Sequence, residues 1–184
     1  FTRMRLYTGI SLAIQIEQNL VPVLERLGSL GGWKPSPIAN LHITTKFIGE
    51  FPDARLPELN AALAELPRTG PIEIRVAGFG CFPEAANPKS LFATVDAGPE
   101  LADLAMRTGL AVQRLGVEME SRPYVPHVTL ARRKGPSADV APVQLDDRDF
   151  GTFEATEFHL YSSTPGPAAS VYRKLATYSL ELNA

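Results

Sequence analysis

Two stretches, Leu41-His42-Ile43-Thr44-Thr45-Lys46-Phe47 and Pro126-His127-Val128-Thr129-Leu130-Ala131-Arg132, repeat one pattern at an offset of 85 positions, from His42 to His127. In each, a histidine is followed by an aliphatic residue and a threonine. Successive side chains of a β-strand alternate between its faces, so His42 projects with Thr44 and His127 with Thr129. Leu41, Ile43, Thr45 and Phe47 face the other way, as do Pro126, Val128 and Leu130. Each stretch therefore reads as a strand with one apolar face and one chemically equipped face. The same offset aligns Leu6-Tyr7 with Leu91-Phe92, Ile10 with Val95, and Leu30-Gly31 with Leu115-Gly116. The expectation is one bilobal domain over residues 1–184, with pseudo-repeats at about 5–50 and 90–135 whose His/Thr faces meet across a central cleft.

The intervening sequence supplies the rest of an α+β chain. Residues 5–14 alternate as a first strand. Ile16, Leu20, Val23, Leu24, Leu27 and Leu30 fall at helical spacing, with Pro22 marking either a kink or the real first turn, and Gly31-Gly32 ends the helix. Residues 33–37 have loop chemistry; Trp33 there either stacks a base or, as is usual for an isolated Trp, packs over the lobe's edge. Asp53 is placed to cap a helix carrying Leu56, Leu59, Leu63 and Leu66. Ile72, Ile74 and Val76 form a strand that ends in a turn near Gly78 and Gly80, glycines that suggest a bulge or a close backbone approach. A strand at 91–97 precedes a helix through Leu101, Leu104, Ala105, Thr108, Ala111, Val112 and Leu115. Residues 134–149 read as a long polar loop, and 153–163 and 171–182 as strands joined around Thr164-Pro165-Gly166-Pro167. The fold class is α+β, two antiparallel sheets flanked by helices.

Composition removes several alternatives. The 18 Lys and Arg against 20 Asp and Glu give a formal net charge of −2, which argues against coating long nucleic acid by global electrostatics. Contacts to nucleic acid would be local. The single cysteine, Cys81, leaves no internal disulfide and no Cys-based zinc site, and reads as a small buried apolar residue. No apolar run approaches the ~20 residues of a membrane span. A soluble cytoplasmic protein with no membrane association and no obligate protein partner is the expectation.

Displacement at phosphorus sets the attacking and leaving oxygens roughly in line, which suits a base and an acid on opposite sides of a phosphate. Histidine serves both roles, because its pKa of about 6.5 lets one imidazole be neutral while the other is protonated. Threonine hydroxyls beside them can donate to non-bridging oxygens. The candidate catalytic residues are His42 and His127, and the candidate phosphate ligands are Thr44 and Thr129. Lys46 shares parity with His42, and Arg132 and Arg133 flank the second motif, so these three are candidate substrate contacts. Arg132 is off parity with His127, so its reach depends on how the strand ends. A lone strand histidine is ordinarily a satisfied core or surface residue, and Thr is common in strands for its β-branching. Repetition in matching context is what singles these four out, and His159, lacking a Thr two residues on, is read as structural. No cofactor or metal is expected: neither His strand offers a nearby Asp or Glu on the histidine face for a metal ligand set.

The segments Asn40–Glu50 and Pro126–Arg132 resemble the two signature motifs of the 2H phosphoesterase superfamily, and within it the RNA 2′,3′-cyclic phosphodiesterases, also called 2′-5′ RNA ligases. Met4-Arg5-Leu6-Tyr7 and Tyr172-Arg173-Lys174-Leu175 fit as well. Thr45 stands where the family usually has Leu, on the side facing away from the cleft. The resemblance implies a bilobal fold with a central cleft, and metal-free hydrolysis of a 2′,3′-cyclic phosphate on RNA ends, small oligonucleotides or cyclic nucleotides to a 2′-phosphate, with reversible 2′-5′ ligation. It also implies that His42 protonates the leaving 3′ oxygen and His127 deprotonates water; either order satisfies the chemistry. The alternative is a non-catalytic RNA-end or cyclic-nucleotide binding module, which Trp33, Tyr124 and the basic cluster would serve equally.

Overall fold

The computed structural model describes residues 2–84, 86–136 and 148–182. Among them the order is β1 (Arg3–Ser11), α1 (Ile14–Ser29), β2 (Trp33–Pro35), β3 (His42–Pro52), α2 (Leu56–Ala64), β4 (Ile72–Phe82), β5 (Ser90–Asp96), α3 (Gly98–Gln113), β6 (His127–Arg133), β7 (Asp149–Ala155), β8 (Glu157–Thr164) and β9 (Val171–Ser179). The strands form a four-stranded sheet, β3-β1-β8-β9, and a five-stranded sheet, β2-β6-β5-β4-β7, with antiparallel pairing throughout. The two His-x-Thr strands thus lie in different sheets, as the repeat implied.

The helices follow from their apolar stripes. Ile16, Leu20, Val23, Leu24 and Leu27 are all buried on one face of α1. Leu20 and Leu27 are fully enclosed, each burial contributing about 1.5–3 kcal/mol. Pro22 lies within α1 on its exposed side; the stripe on either side of it carries the helix through the missing N–H. In α3 the buried face is Leu101, Leu104, Ala105, Thr108, Gly109 and Val112. Each of the two long helices packs chiefly on the sheet opposite the one that holds the strand leading into it. Helix α1, between β1 and β3, packs on β2 and β7 of the five-stranded sheet, whereas α3, between β5 and β6, packs chiefly on β3 of the four-stranded sheet. Ile10 and Ile43 on one sheet and Leu91, Ala93, Val128 and Leu130 on the other belong to the same buried cluster.

Several expectations are corrected. Residues 33–35 are a strand, β2, paired with β6 through Trp33↔Arg133 and Pro35↔Ala131; Pro35 fits because β2 is a sheet edge. The strand after Ile72 does not turn at Gly78 but runs on to Phe82, with a register break between Val76 and Phe79 where Gly78 takes φ +82°. The expected strand at 153–163 is the end of β7 and most of β8, which belong to different sheets. Asp53 caps nothing: a 3₁₀ turn at Asp53–Arg55 precedes α2, whose N-cap is Arg55 without a side-chain cap bond. Of the long polar loop, residues 137–147 lie outside the described residues.

Candidate active site

Both histidines are held by a carbonyl two residues upstream. His42 Nδ1 lies 2.7 Å from the Asn40 carbonyl and His127 Nδ1 lies 2.8 Å from the Val125 carbonyl, carbonyls that sit at equivalent points of the repeat. A carbonyl oxygen only accepts, so each Nδ1 carries its proton and donates it. That fixes the tautomer and leaves Nε2 as the nitrogen with chemistry to do. His42 Nε2 is 2.9 Å from Thr44 Oγ1, so in the neutral ring the threonine hydroxyl donates to it. Strands β3 and β6 contact each other across the two sheets.

Aromatic rings back each imidazole at equivalent points of the repeat. Tyr7 on β1 stacks on His42 with centroids 4.7 Å apart, and Phe92 on β5 lies 5.1 Å from His127. Tyr161 stacks behind Tyr7 at 4.9 Å and Tyr172 meets His42 edge-on at 5.3 Å, while Phe82 meets His127 edge-on at 5.0 Å. Burial is the main cause holding both histidines below the ordinary imidazole range, opposed by their carbonyl bonds. The Arg132 charge lowers both, and His127 lowers His42 further. Both histidines therefore feel one guanidinium.

A β-bulge explains how Arg132 comes to be there. Thr8 pairs with Lys46 but Gly9 pairs with Thr44, so Thr45 is an extra residue; likewise Leu91 pairs with Ala131 but Phe92 with Thr129, leaving Leu130 extra. One extra residue inverts the alternation beyond it. Arg132, off parity in a regular strand, is thereby turned to the histidine side and exposed, while Ala131 is buried. The same inversion removes Lys46 from the cleft, against the expectation from parity. Lys46 is buried, and its ammonium donates to the Glu118 carbonyl at 2.8 Å; Phe47 turns outward in its place and is half exposed. Arg133 points away from Arg132, as a strand neighbour must, and its guanidinium donates to Asn87 Oδ1 at 2.8 Å. Thr45 stays on the inner side, its hydroxyl 2.7 Å from that of Thr8.

The site thus brings together His42, Thr44, His127, Thr129 and Arg132, and leaves Lys46 and Arg133 outside. Sequence reasoning missed the ring supports Tyr7 and Phe92, although their alignment in the repeat, one strand away from each histidine, was the available signal. It also missed that the Tyr124 hydroxyl donates to the Thr44 carbonyl at 2.7 Å; burial pushes that phenol's pKa up, so it remains a donor. Trp33 is buried and takes the packing reading over the base-stacking one. His159, buried, pairs with Thr177 Oγ1 at 2.8 Å, a satisfied structural histidine. Among the described residues, no three His, Cys, Asp or Glu side chains converge as a metal ligand set.

Comparison with known proteins places this arrangement. Residues 28–167 match the 2′-5′ RNA ligase superfamily. The RNA 2′,3′-cyclic phosphodiesterase of Thermus thermophilus is 34% identical over 96% of this chain and 90% of its own length, and that of Archaeoglobus fulgidus is 28% identical over 95% and 99%. Among solved structures, TT0787 of Thermus thermophilus superposes with a TM-score of 0.84 at 32% identity, covering 96% of this chain and 98% of that one. Escherichia coli LigT complexed with 3′-AMP shares the fold, with a TM-score of 0.82 at 20% identity over 97% and 98% of the two chains. With the matched region spanning both His-x-Thr strands and the fold shared throughout, the chain belongs to the 2′-5′ RNA ligase superfamily.

Proposed function

We propose that this protein is a metal-independent phosphodiesterase that opens 2′,3′-cyclic phosphates at RNA ends to 2′-phosphates. The observation that carries this reading is the pair of imidazoles with matched tautomers, each Nδ1 tied to a carbonyl and each Nε2 left for proton transfer, on strands from two sheets. Water attacks phosphorus opposite the 3′ oxygen. The new P–O bond forms as the P–O3′ bond breaks, His127 Nε2 takes the proton from water, and protonated His42 Nε2 gives one to the 3′ oxygen. That order of roles follows the family resemblance. Thr44, Thr129 and Arg132 hold the non-bridging oxygens, where charge accumulates. The same site gives a 2′-5′ linkage when a ribose 5′-hydroxyl takes the place of water: the P–O5′ bond forms as the P–O3′ bond breaks, the hydroxyl proton goes to His127 and the 3′ oxygen again takes its proton from His42. The names of the Thermus and Archaeoglobus relatives support an RNA terminus as the substrate.

The pH dependence has a definite sign. The acid must be protonated, and in the free protein both histidine pKa values are lowered, so the alkaline limb of kcat/KM falls below the ordinary imidazole range. A bound phosphate anion favours the imidazolium, so the alkaline limb of kcat lies at higher pH. The deciding experiment follows turnover of an oligonucleotide ending in a 2′,3′-cyclic phosphate in EDTA, for the wild type, His42→Ala and His127→Ala, with the product phosphate located. Full wild-type activity yielding a 2′-phosphate, with each variant reduced by about 10²–10⁴-fold, is the expected result. A wild type that binds the end without turning it over makes the protein a recognition module.

A further inference from the structure

Each histidine is delivered by a connection that is tied, on its way, to the strand of the other histidine. Residues 30–41 lead into β3 and His42, and they are bonded to β6: β2 pairs with it, the Ser36 N–H donates to the Leu130 carbonyl at 2.8 Å, and Ser36 Oγ donates to the Thr129 carbonyl at 3.1 Å. Residues 114–126 lead into β6 and His127, and they are bonded to β3 in turn. The Tyr124 hydroxyl donates to the Thr44 carbonyl at 2.7 Å, and Lys46 Nζ donates to the Glu118 carbonyl at 2.8 Å. The carbonyls of the two motif threonines are thus acceptors at equivalent points of the repeat, each bound by the lead-in of the opposite histidine.

The two braces differ in construction. The first is made largely by backbone pairing, whereas residues 114–126 contain no strand and are exposed from Glu118 to Pro123, so the second depends on side chains. Lys46 meets that need: the bulge at Thr45 turns it inward, and it is buried. Ala131, at the same place in the second motif, is also buried but has no donor to offer. A lysine is rarely buried unless a specific bond offsets its desolvation, and here that bond runs from the strand of His42 to the lead-in of His127. Beyond Glu118 the lead-in is stiffened by Pro123 and Pro126, which fix the backbone on either side of Tyr124-Val125. A shift at Glu118 is therefore carried to the Val125 carbonyl, which holds His127 Nδ1 at 2.8 Å. Arg55 ties the same connection through the Leu115 carbonyl at 3.0 Å, but at its helix end, before Glu118.

We propose that Lys46 is a positioning residue: by holding the Glu118 carbonyl it fixes the connection that delivers His127, and so sets the spacing between the two imidazoles. The proposal rests on the phosphodiesterase reading above. Its test combines steady-state kinetics on a nucleoside 2′,3′-cyclic phosphate with NMR of the labelled imidazoles, for the wild type, Lys46→Met, Lys46→Arg and Arg55→Met. Lys46→Met keeps the stem and loses the donor, so kcat and kcat/KM should fall together by about 10²-fold, as for a ~1 Å misplacement, with KM unchanged. Lys46→Arg keeps a donor and should recover most of that loss, and Arg55→Met should lower stability but not kcat. In Lys46→Met the His127 resonances should shift more than those of His42, although Lys46 shares a strand with His42; a role in local packing alone would do the reverse. A folded Lys46→Met with wild-type kcat, equal losses in Lys46→Met and Lys46→Arg, or shifts confined to His42 would overturn the assignment. If Lys46→Met does not fold, Lys46→Gln, whose polar chain is too short to reach the carbonyl, takes its place in both measurements. A wild type without turnover would instead remove the phosphodiesterase reading, while the NMR comparison would still decide the brace.

Discussion

Gly80 tests whether Phe92 truly positions His127. A Cβ built at Gly80 would lie 2.4 Å from Phe92 Cζ and 2.6 Å from Cε1, so Gly80→Ala forces the ring back by about 1 Å to reach ordinary van der Waals contact. The ring has little room to go: Phe92 is 6% exposed, with Phe82 4.5 Å away on one side and His127 5.1 Å on another. Overpacking of this kind costs ~1–3 kcal/mol, a melting-point loss of about 3–10 °C for a chain of this length. Because a displacement of ~1 Å at a reacting group costs about 10²-fold in rate, kcat on a cyclic-phosphate substrate should fall by that order, with His127 rather than His42 disturbed. Adding Phe92→Leu to Gly80→Ala relieves the clash and should recover most of the stability but little of the rate, since the ring support is then missing. Thermal denaturation and steady-state kinetics on the four proteins of this cycle measure both. A Gly80→Ala protein that loses stability yet keeps its kcat would refute the idea that Phe92 fixes His127.

Arg132→Met removes the cation that lowers both histidines, so the alkaline limb of the kcat/KM profile should move to higher pH while its maximum drops by about 10²-fold for want of the phosphate partner. Tyr7→Phe should retain activity and leave stability unchanged or raised by ~1 kcal/mol in chemical denaturation, because the Tyr7 hydroxyl is buried without a partner and carries a desolvation penalty. Tyr124→Phe leaves the Thr44 carbonyl without its donor, and should cost about 0.5–1.5 kcal/mol of stability and raise KM more than it lowers kcat.

The parts of the site legible in the sequence were those set by regular pleating and by the repeat. His42, Thr44, His127 and Thr129 fall together because the first three residues of each motif precede the bulge. Lys46 and Arg132 follow it, and parity gave the wrong face for Lys46 and withheld the right one for Arg132. Nothing in Thr44-Thr45-Lys46 or Thr129-Leu130-Ala131 has the glycine or asparagine that often betrays a bulge, so the inversion is visible only in the pairing with β1 and β5. The role of Gly80 was half legible: its spacing suggested a close approach, but the approaching group, Phe92, comes from the neighbouring strand. Residues 33–35, though not 36 and 37, were misread as loop because Pro35, Ser36 and Pro37 invite turns, whereas β2 pairs only along one edge and tolerates a proline there.

The exchange of helices between the two sheets also decides how the molecule comes apart. Stripping the four-stranded sheet away exposes the stripe of α3, and releasing α1 uncovers β2 and β7 in the other sheet, so neither lobe retains a sealed interior once its counterpart opens. Local openings that release one sheet alone are suppressed, and amide protons of the central strands β1 and β5 should exchange with solvent through a common opening. The gap between the two imidazoles then cannot be widened by melting one half, and its width is a property of the whole native state.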